Sequence, residues 1–296
     1  MKILNFGSVN IDHVYSVGHF VKPGETLSSL SYKKFSGGKG ANQSIALARA
    51  GADVYHAGRI GVDGIWLKDK LEESGIKTRY LEVCETPTGH AIIQVSKSGE
   101  NSIILFGGAN QTVDAEFAGS VLKKFHKGDC LLLQNEISST AHIMKEASRL
   151  KLKIIFNPAP MNDDVFSYPL KLVDVFILNE IEAAELAGKN GIEEIIHVMK
   201  RRFPKALTIL TLGSKGVAYM DGDTIVHVPA FKVKVVDTTA AGDTFIGYYL
   251  ACISKGGKLS DAISTACKAS ALCVTRHGAS DSIPELREVR KEDFLK

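Results

Sequence analysis

The chain has 296 residues, enough for one large core or a core with a small appended element, because single cores stop growing near roughly 250–300 residues. A composition of 45% hydrophobic and 23% charged residues with 8 prolines excludes long disorder, and a net charge of +3 with Lys and Arg interleaved among acids leaves no basic patch for nucleic acid. The 5 cysteines (Cys84, Cys130, Cys252, Cys267 and Cys273) are scattered without CxxC spacing, which argues against a disulfide framework or zinc site and for a reducing cytoplasm.

From the N-terminus, Met1 to Gly7 is too short and polar for a signal peptide, and no apolar run reaches membrane-spanning length, so neither export nor a membrane partner is expected. Ile3 to Phe6 reads as a buried strand that delivers Gly7-Ser8-Val9-Asn10 to its C-terminal end, where open α/β sheets place their ligands. Tyr15 to Lys34 and Thr86 to Phe106 are β-branched and aromatic, with turns at Pro23-Gly24 and Lys97-Ser98-Gly99-Glu100, and predict two hairpins. Split in sequence, over about 12–36 and 86–107, they are expected to meet as one small sheet acting as a lid.

The remainder alternates strand and helix. Helices are predicted at Asn42 to Ala50, Ile65 to Ser74, Ala141 to Leu150, Glu193 to Phe203, Thr244 to Ser254 and Leu259 to Thr275. Strands are predicted at Tyr55 to Ile60, Cys130 to Gln134, Ile154 to Phe156, Val175 to Leu178 and Leu207 to Leu212. Repeated βα units imply one α/β domain over 1–296, with a mostly parallel sheet covered on both faces.

Two strings carry chemistry. Val236-Asp237-Thr238-Thr239-Ala240-Ala241-Gly242-Asp243-Thr244 puts small residues before a helix with an acid at its start. Consecutive N–H groups there form an anion site, and Asp243 beside it suits deprotonation of an alcohol that attacks a phosphate; read alone, the string equally fits a capped helix. Ser36-Gly37-Gly38-Lys39-Gly40-Ala41-Asn42-Gln43 allows close backbone approach to a ligand, with Lys39 and Asn42 as hydrogen-bonding groups, though glycine clusters are also common in plain turns. Neither GxxxxGK[ST] nor GxGxxG fits the chain, which excludes a Walker loop and speaks against a dinucleotide site.

With both strings in this order, and with Gly7-Ser8-Val9-Asn10-Ile11-Asp12, Gly107-Gly108-Ala109-Asn110, Asn157-Pro158-Ala159-Pro160, Asn179-Glu180-Ile181-Glu182 and Thr211-Leu212-Gly213-Ser214-Lys215-Gly216, the chain resembles the ribokinase branch of the carbohydrate kinases. The resemblance implies a three-layer α/β/α sandwich with a β-sheet lid. It implies ATP-dependent transfer of phosphate to a small sugar, D-ribose at its primary 5-hydroxyl, with Asp243 as base and the N–H groups of Ala240, Ala241, Gly242 and Asp243 as anion hole. It further implies that Asn10, Asp12, Gly37, Gly38, Lys39, Asn42 and Glu136 bind the sugar, and that Asn179, Glu182, Thr211, Gly213, Lys215, Gly216 and Gly242 bind the nucleotide. Mg²⁺ would be met by Glu182 through water. K⁺ would be held by Asp237, Thr239, Cys273, Arg276, Gly278 and Ser282, mostly through backbone oxygens, and two copies would pair through their lids.

Three departures qualify the resemblance. Ala240 stands where many relatives have glycine, which is expected to forbid a positive φ; Trp66 stands where a glycine is frequent; and Cys267-Lys268 falls where residues near the adenine are expected. A kinase of the same family acting on fructose, a nucleoside or a keto-deoxy sugar acid would share the catalytic residues and differ in the lid, where His90, Ile92, Gln94 and Ile104 alternate and Phe106 is the lone aromatic of His90 to Phe106. A non-catalytic sugar sensor is the alternative from another class.

Overall fold

The computed structural model describes residues 1–292. Its strands are β1 (Ile3–Phe6), β2 (Asn10–Ser16), β3 (Ser31–Gly37), β4 (Val54–Gly61), β5 (Lys77–Cys84), β6 (Gly89–Val95), β7 (Asn101–Phe106), β8 (Cys130–Leu133), β9 (Lys153–Phe156), β10 (Val175–Asn179), β11 (Leu207–Thr211), β12 (Val217–Asp221) and β13 (Thr224–Val228). Its α-helices are α1 (Lys39–Arg49), α2 (Ile65–Glu73), α3 (Ala115–Leu122), α4 (Thr140–Arg149), α5 (Glu180–Ala187), α6 (Ile192–Arg202), α7 (Ala241–Ser254), α8 (Leu259–Cys273) and α9 (Leu286–Lys291).

The period of two along buried strands builds the sandwich. Ile3, Leu132, Ile155, Ile177 and Ile209 pack toward α1, α2, α7 and α8 on one face. Their neighbours Leu4, Leu133, Ile154, Leu178 and Leu210 pack toward α3, α4, α5 and α6 on the other. Strands covered on both faces read as continuous apolar runs such as Cys130–Leu133, which is why they were legible in the sequence. The 9-stranded sheet runs β13-β12-β11-β10-β9-β8-β1-β4-β5, parallel from β11 to β5 with β12 antiparallel between β11 and β13. Strand order reverses between β1 and β8, so the connections leave their C-terminal ends in opposite directions and open a crevice there.

Edge elements escaped the sequence reading. β5 alternates charge with apolar residues and pairs with β4 through a register shift, and β12 and β13 are a short hairpin on the opposite edge. The two predicted hairpins do meet: β2–β3 and β6–β7 are antiparallel pairs joined by parallel pairing of β2 with β6, giving a 4-stranded sheet ordered β3-β2-β6-β7. Asp12 lies opposite Phe35 and Ala91, and Ala91 opposite Leu105, so these share one face of the lid. His13, Lys34, Ile92 and Ile104 share the other. Among the described residues no helix is long and apolar enough to cross a membrane.

Candidate active site

Most polar groups of the site lie at or near strand and helix ends by the crevice. β2 starts at Asn10, whose buried side chain accepts a hydrogen bond at its Oδ1 from Asn110 Nδ2 at 2.7 Å. Asn110 Oδ1 in turn accepts from the Val9 N–H at 3.0 Å, so the segment just after the lid orients a predicted sugar ligand. Asp12, one pleat further on, has its carboxylate against Gly37, where an added Cβ would lie 2.2 Å from its oxygens. Burial, with the nearby charge of Glu136, raises its pKa from 3.8 to about 7. Gly38 adopts φ 88° at the N-cap of α1, a left-handed geometry that glycine takes without strain, and it turns the chain from the lid into the helix.

Past β8, Glu136 accepts hydrogen bonds at Oε2 from the Ser8 hydroxyl and from the Lys39 N–H, the latter at 2.9 Å. Burial pushes its pKa up, opposed by the Lys39 charge and those donors. Burial acts to lower the Lys39 ammonium, but Asp243, Glu136 and Glu182 outweigh it and hold its pKa above the ordinary value. Lys39 thus stands among three acids, Asp243, Glu136 and Glu182.

Asp243 is buried in the first turn of α7. Its Oδ2 accepts from Asn42 Nδ2 at 3.2 Å and its Oδ1 from Gln43 Nε2 at 2.9 Å, contacts that join residues 201 and 200 positions apart. Asn42 Oδ1 is buried without a partner, an acceptor left for a hydroxyl. The Ala241 N–H meets Thr238 O at 3.3 Å and the Thr244 N–H meets Ala240 O at 2.8 Å. The N–H groups of Gly242 and Asp243 have no hydrogen-bond partner among the described residues, which leaves donors for an anion at the positive end of α7. Ala240 has φ 59°, correcting the expectation that alanine forbids it there: the left-handed region is open to a non-glycine residue at about 1–2 kcal/mol, and it aims the following N–H groups.

A cavity of about 820 Å³ opens from Lys39 and Asp243 and is lined by Asn179, Glu182, Thr211, Gly213, Gly216 and Gly242. Asn179 and Glu182 cap α5 reciprocally, with Glu182 N–H to Asn179 Oδ1 at 2.8 Å and Asn179 N–H to Glu182 Oε2 at 3.0 Å. Burial raises the Glu182 pKa against the pull of the Asn179 N–H and Lys39. Lys215 does not line the cavity; its ammonium is 3.5 Å from Glu180. The apolar wall of Phe231, Val233, Val235, Ala271 and Val274 went unnoticed, because these residues come from a loop and a helix face that meet only in space. Cys267 lines this wall, whereas Trp66, with the Lys34 ammonium 4.7 Å from its ring, does not line the cavity.

Asp237 Oδ1 accepts from the Thr239 N–H at 2.9 Å and the Thr239 hydroxyl at 2.6 Å, and its Oδ2 from the Gly278 N–H at 3.0 Å. Burial pushes its pKa up, but these donors outweigh it and hold it below the usual range. Cys273 Sγ lies 3.1 Å from Ser282 Oγ and 3.7 Å from Thr239 O. The Arg276 guanidinium points to Glu288, 2.6 Å away, so only its backbone is free for an ion. This carboxylate, hydroxyl and carbonyl set suits a hard monovalent cation. Among the described residues no cluster of three or more His, Cys, Asp or Glu side chains could hold a metal. Glu182 therefore fits Mg²⁺ only in company with phosphate oxygens and water.

A sheet-end crevice, a buried carboxylate beside unpaired helix N–H groups, and an adjoining nucleotide-sized cavity define a phosphotransferase that acts on a hydroxyl. The chain matches the model of the pfkB family carbohydrate kinases over residues 1–286 and belongs to that family. It is 37% identical over 294 residues to the ribokinase of Haemophilus influenzae, covering 95% of each chain. The ribokinase of Cryptococcus neoformans var. grubii serotype A, solved in complex with ADP, superposes with a TM-score of 0.86 at 36% identity, covering 98% of this chain and 99% of that one. The Arabidopsis thaliana ribokinase complexed with ribose and ATP gives a TM-score of 0.84 at 28% identity, covering 98% and 97%.

Proposed function

We propose that this chain phosphorylates D-ribose at its 5-hydroxyl with ATP. The observation that carries the reading is the placement of Asp243, held by Asn42 and Gln43 of the glycine-rich helix while its own N–H and that of Gly242 remain unpaired. Relatives of similar length that are ribokinases support the sugar. The sugar lies between Asn10, Asp12, the Gly37-Gly38 turn and Glu136, under the lid face that carries Ala91 and Leu105. Asp243 takes the proton of the primary hydroxyl, whose oxygen attacks the γ-phosphate. Charge growing on the transferring group is met by the N–H groups of Gly242 and Asp243 and by the Lys39 ammonium.

ATP occupies the 820 Å³ cavity, with its base against Val233, Val235, Cys267 and Val274. Glu182 would hold Mg²⁺ through water, and Asp237, Thr239, Cys273, Gly278 and Ser282 would hold K⁺. When bound, Mg²⁺ neutralises phosphate charge and K⁺ orders the loop before α7. A cytoplasmic setting supplies both ions. The exposed edge strand β7, with Ile103, Ile104, Leu105 and Phe106 all open to solvent, supports pairing of two copies through their lids.

The test is ADP release from Mg·ATP with D-ribose, 2-deoxyribose, fructose, adenosine or no sugar, each in potassium and in sodium alone. Ribose-dependent, potassium-stimulated turnover supports the reading. Turnover with adenosine or fructose alone transfers it to another kinase of the family, and ribose binding without turnover points to a sensor.

A further inference from the structure

We propose that Gln134 is a positioning residue for the base, setting through Gln43 which end of an amide faces Asp243; the proposal rests on the reading of Asp243 as base. Gln134 follows the apolar run of β8 and does not line the cavity. Its Nε2 donates to Asn5 Oδ1 at 3.0 Å and to Gln43 Oε1 at 2.6 Å. With its oxygen so engaged, Gln43 turns Nε2 to Asp243 Oδ1 at 2.9 Å and to Asn157 Oδ1 at 3.2 Å.

Two backbone carbonyls, which cannot flip, fix the polarity of this chain of amides. Asn5 Nδ2 donates to Gly40 O at 2.7 Å, so its Oδ1 must face Gln134. Asn157 Nδ2 donates to Ile177 O at 3.0 Å, so its Oδ1 must face Gln43. Reversing Gln134 alone would set its oxygen against those of Asn5 and Gln43. The arrangement leaves Gln134 Oε1 buried without a partner, against Gly7, where an added Cβ would lie 2.4 Å from it. An unpaired buried oxygen is costly, and it is kept here so that both hydrogens of the amide meet oxygens, one on Asn5 and the other on Gln43, which carries the chain on to the base. Asp243 then has one amide donor on each oxygen, Gln43 on Oδ1 and Asn42 on Oδ2, which fixes the plane of the carboxylate toward the cavity.

Gln134→Glu keeps the shape but offers acceptors where Asn5 and Gln43 present oxygens. The expected result is a fall in kcat of about 10²-fold, the scale of a misplaced catalytic group, with KM for ribose and ATP within about threefold of the parent. Gln134→Met removes the donors without reversing them and is expected to lower kcat about tenfold; it decides the matter if Gln134→Glu does not fold by circular dichroism. In an Asp243→Asn background, Gln134→Glu is expected to add less than about threefold, because groups acting as a unit are not additive. Full additivity would overturn the proposal, since Gln134 would then act on the fold and not on the base. Loss of activity in Asp243→Asn with parental kcat in the folded Gln134 variants would overturn it while leaving the base in place. Parental kcat in Asp243→Asn would instead bring down the reading of the base, and this proposal with it.

Discussion

The two aspartates of the site, Asp243 buried and Asp12 half-buried, are held in opposite ways. Asp243 belongs to the body of the sandwich and has amide donors on both oxygens. Asp12 belongs to the lid; no hydrogen bond reaches its carboxylate among the described residues, and burial with the charge of Glu136 raises its pKa to about 7. One carboxylate is set before any ligand arrives. The other has no hydrogen-bond donor among the described residues, so the body presents a carboxylate fixed in place and the lid presents one with its acceptors open.

The largest expected effect tests the body. Asp243→Asn should fold and bind ribose, measured by calorimetry, while kcat for ADP release falls about 10²–10⁴-fold, the usual contribution of a general base. A parental kcat would remove Asp243 from the chemistry. Asp12→Asn tests the other half: KM for ribose should rise about 10- to 100-fold, the range for a lost hydrogen bond to a charged group, with a smaller change in kcat.

The same variant isolates the titration of Asp12. Between pH 3.8 and about 7 the folded chain holds a proton on Asp12 that the unfolded chain releases, so wild-type stability without sugar falls as pH rises through that window and levels off above it. Asn cannot ionise, so Asp12→Asn should be more stable than the parent at pH 8, on the order of 2 kcal/mol after allowance for partial exposure, with the gain vanishing near pH 4 in denaturant titrations. Ribose affinity of the parent should weaken as pH drops below 7, because hydroxyl donors favour the ionised carboxylate.

Smaller changes sharpen the assignment of lid faces. Ala91 shares the face of Asp12, and Ile92 shares that of His13. Ala91→Val should raise the ribose KM several-fold by crowding, whereas Ile92→Val should leave it unchanged; the reverse would mean that the opposite face covers the sugar. The smallest effect is at Ala240, where relief of the left-handed backbone by Ala240→Gly should stabilise the fold by about 1 kcal/mol, read as a raised melting temperature with kcat little altered.

Sequence patterning reached furthest where burial is two-sided and local. The apolar runs of β8 to β11, the glycine string at α1 and the small-residue string at α7 were legible because each is set by near neighbours in sequence. The polar edge strand β5 and the hairpin of β12 and β13 were not, since alternation of charge along an edge carries little signal. In the lid, the alternation of His90, Ile92, Gln94 and Ile104 with Phe106 as the aromatic marks, on the sequence alone, where substrates of the family would be told apart. The register places all of them on the face away from Asp12, and a one-residue step in a strand exchanges the faces.

The chain by itself therefore determined the layers, the glycine turn before α1, the small-residue turn before α7 and most cavity-lining residues, because glycine, helix starts and strand ends impose local geometry wherever they occur. Only the tertiary structure decided which lid residues share the face of Asp12, that Trp66 and Lys215 do not line the cavity while the Arg276 guanidinium turns to Glu288, and that Gln134, Gln43 and Asn157 form one oriented chain of amides. Those relations join residues 91, 114 and 200 positions apart, and directional hydrogen bonds across such separations exist only once the sheet order has brought the strand ends together.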